Sequence, residues 1–140
     1  MIITTKGKNA LKLMLDLSIY QGNGYVKLKE IAKRQEISEK YLEQIVSYLQ
    51  KAGKVLSTRG SNGGYRLAKQ PGMYTVGEVI KCLEGDIAVT DCMRGDVCEK
   101  RNDCLCYPLW FKLDKVMGDV LENTTLQDLI DWRKDGCQSK

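Results

Sequence analysis

The sequence predicts a mainly α-helical fold with one small β-hairpin. Three segments with apolar residues at helical spacing come first in the chain, and a glycine-rich hairpin signal follows them. A long helix with a wide apolar stripe is expected further on. Three helices followed by a hairpin are the element order of a winged helix-turn-helix, extended here by a long helix suited to dimerisation.

The first two helices are separated by a loop signal at residues 21–24, where glycines alternate with polar residues. The first helix is expected to be capped by Thr4 or Thr5 and to run to about Tyr20. A shorter helix is expected from about Leu28 to Arg34.

The third helix is expected from Glu39 to about Lys51, with Ser38 as its N-cap. Its residues divide into an apolar face and a polar face, each with helical spacing. The apolar face comprises Leu42, Ile45, Val46 and Leu49, and the polar face comprises Lys40, Glu43, Gln44 and Ser47.

Two strand-like stretches, residues 55–58 and 65–67, flank the run Arg59-Gly60-Ser61-Asn62-Gly63-Gly64. Glycine adopts positive φ without steric cost, so this run predicts the tip of a hairpin. The hairpin is the expected wing.

In a helix-turn-helix, the N-terminal residues of the second of the two helices face base edges in the major groove. In this chain that recognition helix is the third helix, which begins at Glu39. Gln44 can bond adenine and Glu43 can accept from cytosine, while Lys40 and Tyr41 can reach phosphates or bases. Arg59, flanked by small residues, can approach the minor groove. We therefore expect double-stranded DNA as the partner, bound by Ser38, Lys40, Tyr41, Glu43, Gln44, Ser57, Arg59, Gly60 and Gly63.

The charge is distributed unevenly along the 140-residue chain. Residues 1–70 contain 13 Lys and Arg against 5 Asp and Glu, whereas residues 71–140 contain 9 against 13. A basic half joined to an acidic half fits a nucleic-acid-binding domain attached to a second module.

No signal peptide and no membrane-spanning run is recognisable, so a cytoplasmic location without membrane contact is expected.

Pro71-Gly72 marks the expected boundary between a DNA-binding domain, residues 1–70, and a second region, residues 71–140. The second region is expected to contain a helix over 76–84, a cysteine-rich loop over about 86–106, a long helix over about 108–122 and a final helix ending near Lys134. The long helix suits either a core position or a dimer seam. Its apolar stripe comprises Leu109, Leu113, Val116 and Val120, beside Trp110, Met117 and Leu121.

Six cysteines stand out in a chain expected to be cytoplasmic, where clustered thiols are more often ligands or redox groups than disulfides. Five residues separate Cys92 from Cys98 and five separate Cys98 from Cys104, a spacing that favours one inorganic centre. Thiolates suit zinc and iron–sulfur clusters alike, and the spacing does not choose between them. Cys82 is expected to be a small buried hydrophobe, and Cys137 to be incidental in a polar tail.

Several segments give the sequence a specific resemblance. Residues 37–45, Ile-Ser-Glu-Lys-Tyr-Leu-Glu-Gln-Ile, look like the recognition helix of the IscR-type family of iron–sulfur cluster regulators, and residues 57–68 resemble that family's wing. The opening Thr5-Lys6-Gly7-Lys8 and the segment 76–80 also fit. The resemblance implies a homodimer that represses or activates promoters at near-palindromic operators. It also implies base reading around Lys40, Glu43 and Gln44 and a minor-groove role for Arg59.

The resemblance further implies an iron–sulfur cluster, [2Fe-2S] or [4Fe-4S], held by Cys92, Cys98 and Cys104, with zinc as the alternative. Some members of the family add a histidine at the position of Tyr107, and this sequence has no histidine. Others use an acidic residue of the partner subunit at a position that matches Lys8. Cys106 is the local candidate for a fourth ligand, and the alternatives are a small exogenous ligand, Glu84 or Asp91.

Two other functions fit the residues. One is a cluster-free repressor that responds to thiol oxidation or to a partner protein, and the other is a zinc-stabilised interaction module without DNA function. An enzyme is not expected, because the sequence has no histidine, no phosphate-binding glycine loop that opens a helix and no recognisable pair of nucleophile and base.

Overall fold

The computed structural model describes residues 3–94 and 98–135. Within them the helices are α1 (Thr5–Tyr20), α2 (Leu28–Gln35), α3 (Glu39–Lys51), α4 (Val76–Glu84), α5 (Tyr107–Asn123) and α6 (Leu126–Lys134), and the strands are β1 (Val55–Thr58) and β2 (Gly64–Leu67). Short 3-10 turns at Pro71–Met73 and Asp91–Met93 complete the described elements. The predicted mainly α fold with a small hairpin is confirmed, with each boundary within a residue or so of the expected one.

Local chemistry accounts for the helix starts. The Ser38 hydroxyl accepts a hydrogen bond from the Tyr41 backbone N–H at 3.1 Å and so caps α3 as predicted. Thr75 and Glu78 form a capping box at the start of α4. The turn between α2 and α3 is closed by Glu36, which adopts a left-handed conformation with φ of 55°.

The core lies between α1, α2, α3 and the first strand, and α4 completes it. Apolar side chains of α1 and α3 are buried against one another, namely Ala10, Leu13, Met14, Leu17, Leu42, Ile45, Val46 and Leu49. Val79 of α4 belongs to the same cluster, so the helix that follows Pro71 packs directly on the helix-turn-helix.

Tyr74, which follows the hairpin in the chain, forms hydrogen bonds with residues on either side of the hairpin. Its ring is buried, its hydroxyl donates to the Lys54 carbonyl at 2.7 Å, and it accepts from the Lys69 N–H at 3.1 Å. Burial raises the pKa of the Tyr74 hydroxyl, so it remains a protonated donor at neutral pH.

In contrast to α1 and α3, α5 has no buried residue. The Asp114 carboxylate of α5 accepts a hydrogen bond from the Val89 N–H at 3.1 Å, and Glu122 pairs with Lys81 of α4. At the C-cap of α5, the Thr124 carbonyl accepts from the Val76 N–H at 2.8 Å. None of the described helices is long and apolar enough to cross a membrane.

Candidate functional site

The polar face of α3 lies at the protein surface. Lys40, Glu43 and Gln44 are exposed, while their apolar counterparts on the opposite face are buried. Tyr41 is only half-exposed and packs against the hydrophobic core. The helix therefore presents three side chains with hydrogen-bonding or ionic groups near its N-terminus, while Tyr41 serves partly as a packing residue.

The wing is a two-stranded antiparallel hairpin in which Thr58 pairs with Gly64. Its turn is closed by a 3.0 Å hydrogen bond from Gly63 N–H to the Gly60 carbonyl. A Cβ atom on the buried Gly63 would lie 2.5 Å from the Thr58 carbonyl oxygen, so glycine is required there by close backbone approach. Gly63 is thus a buried residue that allows the tight turn, whereas the neighbouring Arg59 is exposed at the edge of the turn.

Backbone pairing attaches the wing to the residues just before α2. Val26 and Tyr65 exchange two N–H to carbonyl hydrogen bonds of 2.8 Å each. A Cβ atom on Gly64 would lie 2.4 Å from the Val26 carbonyl oxygen, which explains the second glycine of the pair. Lys27, the next residue, is therefore held beside the wing.

A side-chain hydrogen bond joins α3 to the wing directly. The Gln50 amide donates to the Ser57 hydroxyl oxygen, Nε2 to Oγ, at 2.8 Å, and both side chains are exposed. Sequence reasoning missed Gln50 and Lys27 as members of this surface. The available signal for Gln50 was its position on the polar side of α3, one helical turn after Ser47.

Three acidic or basic side chains of α4 connect it to other elements. Glu78 accepts from the Lys54 ammonium at 2.8 Å, Lys81 pairs with Glu122 of α5 at 2.6 Å, and Glu84 accepts from the Thr4 N–H at 2.6 Å and from the Thr4 hydroxyl. Lys54 lies between α3 and β1, and Thr4 caps α1. The helix that leads into the cysteine loop is thus bonded to the helix-turn-helix and to α5.

The cysteines of the loop differ in their surroundings. Cys92 is half-buried with its sulfur 2.9 Å from the Thr90 hydroxyl, Cys98 is half-buried, and Cys104 and Cys106 are exposed. Residues 3–94 and 98–135 contain no group of three or more His, Cys, Asp or Glu placed to hold a metal ion. Among the described residues, the loop cysteines therefore do not form one set of metal ligands.

The remaining predicted cysteines lie elsewhere. Cys82 was expected to be buried; it is half-buried and packs against the core, where burial raises the pKa of its thiol. Cys137 lies outside the described residues. Lys8, at the position where some relatives use an acid, is an exposed residue of α1.

The outer face of α5 is apolar and exposed. Leu109, Leu113, Val116 and Val120 are between 44% and 62% exposed, and the intervals between them alternate four and three residues. Trp110, Met117 and Leu121 are less exposed and lie on the adjacent side. The alternating spacing is the pattern of a coiled-coil seam, and no other described element covers it.

Known regulators and solved structures are similar to this chain over most of its length. The model of the Rrf2 family, described as "Iron-dependent Transcriptional regulator", matches residues 3–132. The regulator CymR of Bacillus subtilis is 39% identical over 132 residues, which cover 94% of this chain and 91% of that protein. IscR of Yersinia pseudotuberculosis is 39% identical over 130 residues, which cover 93% of this chain and 79% of that protein.

The solved structures agree with the sequence comparison. The structure of CymR, the "Global Cysteine Regulator" of B. subtilis, has a TM-score of 0.80, covering 94% of this chain and 98% of that one. The structure of T. potens IscR, 34% identical, has a TM-score of 0.77 and covers 100% of this chain and 93% of that one. These relatives are named as regulators, which supports the expectation that the chain is not an enzyme. The chain belongs to the Rrf2 family of transcriptional regulators.

Proposed function

We propose that the protein is a homodimeric transcription regulator that binds near-palindromic promoter operators, and that an iron–sulfur cluster in the cysteine loop modulates its activity. The single observation that carries the DNA-binding part is the hydrogen bond between Gln50 and Ser57, which holds the polar face of α3 and the wing as one surface. On that surface Lys40, Glu43 and Gln44 read base edges in the major groove, and Arg59 enters the minor groove.

The exposed face of α5 supports the dimer. Apolar side chains at coiled-coil spacing lose their contact with water when two copies of α5 pack together, and each buried large aliphatic side chain contributes about 1.5–3 kcal/mol. Pairing of the two copies places two recognition helices about one DNA turn apart, roughly 34 Å, on a two-fold symmetric operator.

The donor chemistry of the cysteine loop supports the cluster. Cys92, Cys98 and Cys104 would supply thiolate ligands, and Cys106 is the nearby candidate for a fourth. A bound cluster supplies a centre whose occupancy and redox state follow iron supply and oxidants. A cluster held by these thiolates would order the loop. Since α4 leads into this loop and is bonded to Thr4 before α1 and to Lys54 after α3, that ordering would change how the DNA-binding half is held.

A second candidate function keeps DNA binding and replaces the cluster by thiol oxidation. It is favoured by the exposure of Cys104 and Cys106, which leaves both thiols accessible to oxidants. In this case the regulator responds to oxidants without iron.

DNA binding is tested by selecting duplexes from a random-sequence library and measuring their dissociation constants over a range of salt concentrations. Affinity should fall steeply as salt rises, because phosphate contacts release counterions. Arg59→Ala should weaken binding about tenfold, while Arg133→Ala, a change in an exposed arginine of α6, should not. Failure of the wild-type protein to bind any duplex at low salt, with or without metal, contradicts the proposal.

The cluster is tested by anaerobic reconstitution with iron and sulfide, followed by visible absorption and analysis of bound iron. The wild type should become coloured, and Cys92→Ser, Cys98→Ser and Cys104→Ser should each lose the colour. Cys82→Ser is the matched control, because Cys82 packs on the core away from the loop, and it should retain the colour. A colourless wild type without bound iron rejects the cluster in favour of the thiol-oxidation candidate or of zinc.

A further inference from the structure

A cleft of about 570 Å³ opens between the wing, the last turn of α3 and the residue that precedes α2. The two charged side chains in its wall, Lys27 and Arg59, are both cations. No carboxylate lines it among the residues that the structure describes. The cleft therefore attracts an anion, in contrast to the surface around Glu84 and Asp86, where charges of both signs meet.

One wall of this cleft offers a prepared hydrogen-bond donor. The Ser57 hydroxyl oxygen accepts the hydrogen bond from Gln50, which leaves its proton available to donate. Within residues 3–94 and 98–135 that proton meets no acceptor. The hydrogen bond from Gln50 also restricts the rotation of the hydroxyl group, because one lone pair must face the amide.

The opposite wall is fixed by the backbone. The paired hydrogen bonds between Val26 and Tyr65 hold the wing against the chain that enters α2. Because only a glycine at position 64 permits this close approach, Lys27 sits at a set distance from the wing. The exposed Lys27 side chain is long enough to follow a ligand within the cleft.

We propose that this cleft binds one backbone phosphodiester of DNA beside the groove that α3 reads, with the Lys27 ammonium and the Ser57 hydroxyl as donors and Gln50 as a positioning residue. The proposal rests on the DNA-binding function proposed above. A phosphodiester fits because it accepts hydrogen bonds from a hydroxyl and an ammonium group at once and carries a single negative charge. This contact fixes the register of α3 on the duplex and carries no sequence information itself.

The role of Lys27 is tested by the salt dependence of DNA binding. The probes are one duplex selected by the wild-type protein and one mixed-sequence duplex of equal length. Lys27→Met should weaken binding to both by a similar factor and reduce the slope of log affinity against log salt by about 0.9 for each cleft occupied. Lys33→Met, at the other end of α2 and outside the cleft, is the charge-matched control and should leave the slope unchanged.

If the cleft binds one phosphodiester, the loss of DNA affinity in Lys27→Met should be traceable to a single phosphate of the duplex. Replacing successive phosphates of the selected duplex by neutral methylphosphonates should reveal a position that weakens binding of the wild type. That position should no longer matter for Lys27→Met, because the charge partner has been removed. A penalty of unchanged size in Lys27→Met overturns the proposed contact.

The positioning role of Gln50 is tested with Ser57 in a double-mutant cycle. Gln50→Ala and Ser57→Ala should each weaken binding about fivefold, consistent with loss of one hydrogen bond to a charged group. The double variant should bind no more weakly than Ser57→Ala alone, because Gln50 acts through Ser57. Gln50→Glu should bind more weakly than Gln50→Ala, since its carboxylate accepts the hydroxyl proton and repels the phosphate. Additive losses overturn the positioning role.

The outcomes separate this proposal from the one on which it rests. A wild-type protein that binds no duplex overturns both. A wild-type protein that binds, together with unchanged salt slopes in Lys27→Met, overturns the cleft assignment alone. Urea unfolding of each variant shows whether a loss of binding reflects a loss of fold.

Discussion

The guanidinium of Arg34 on α2 donates two hydrogen bonds to the buried carboxylate of Asp16 on α1. The Nε atom lies 3.0 Å from Oδ2 and the Nη2 atom 2.7 Å from Oδ1. The Asp16 side chain has no exposed surface, and Gln35 donates a third hydrogen bond to it at 2.9 Å. The hydrogen bond with Asp16 raises the pKa of Arg34 above its ordinary value, so the guanidinium stays charged across the usual pH range.

Arg34→Met should lower the free energy of unfolding by about 3 kcal/mol, because it leaves a buried charge without its ionic partner. The guanidinium also lies 4.0 Å from the centre of the Tyr20 ring, a contact that is lost in the same variant. Urea unfolding followed by circular dichroism measures the change. Arg133→Met, which removes an exposed arginine, serves as the control and should change stability by less than about 0.5 kcal/mol. Equal stability of the two variants would show that the Asp16 pair is dispensable.

Gly64→Ala should disrupt the attachment of the wing, because its Cβ atom would lie 2.4 Å from the Val26 carbonyl oxygen. The expected cost is about 2 kcal/mol or more in stability, together with weaker DNA binding. Gly60→Ala provides the matched comparison, since φ is 108° at Gly60 but nothing lies within 4 Å of the added methyl group. Gly60→Ala should lower the free energy of unfolding by about 1 kcal/mol, because only the backbone strain at positive φ contributes. If the two substitutions were equally costly, close backbone approach would not explain the glycine at position 64.

Val116→Glu should shift the protein from dimer to monomer, because it places a charge in the centre of the exposed apolar seam of α5. Lys115→Glu introduces the same residue next to it, on the side of the helix away from the seam, and should leave the dimer intact. Sedimentation equilibrium of both variants measures the association constant. A wild type that sediments as a monomer would rule out the seam itself.

Glu78→Gln should make stability less dependent on pH in the acidic range. Burial by itself would raise the pKa of Glu78, but the hydrogen bonds from Lys54 and the Thr75 N–H outweigh it and hold the pKa below the ordinary 4.5. A carboxylate with a lowered pKa in the folded state stabilises the fold at pH above 4.5, and the contribution is lost as pH falls through the lowered pKa. The variant should therefore be less stable than the wild type at pH 7, by about 1 kcal/mol, and similar to it near pH 2.

Unfolding free energies at both pH values measure this difference. Glu122→Gln removes the partner of Lys81 in a pair of which both members are about half exposed, so it should have a smaller effect at pH 7. A gap between Glu78→Gln and the wild type that widened as the pH fell would reverse the assigned sign.

Much of the local structure was predictable because it depends on residues close together in sequence. Ser38 and the polar and apolar faces of α3 follow from capping chemistry and from a period of 3.6 residues. The hairpin followed from its glycines. Glu36 was not predictable as a left-handed residue, because a glycine is the usual signal for that conformation and none is present.

The DNA-facing surface was predictable only in part. Lys40, Glu43, Gln44 and Arg59 could be placed from the motif order, and the structure exposes all four. Gln50 and Lys27 could not be placed, because their significance arises from contact with the wing across the fold. The cysteine spacing indicated an inorganic centre, whereas the convergence of the thiols is a three-dimensional property that spacing does not specify.

The helices, the hairpin, the polar face of α3 and the apolar stripe of α5 follow from the amino acids alone, since each arises from periodicity, capping or turn glycines within a short segment. Three relationships emerge only in the folded chain: Asp16 is buried against Arg34, α4 completes the core of the helix-turn-helix, and Gln50 contacts Ser57. These pairs are brought together by packing of whole helices, and the free energy of that packing is shared among many side chains rather than encoded in either partner.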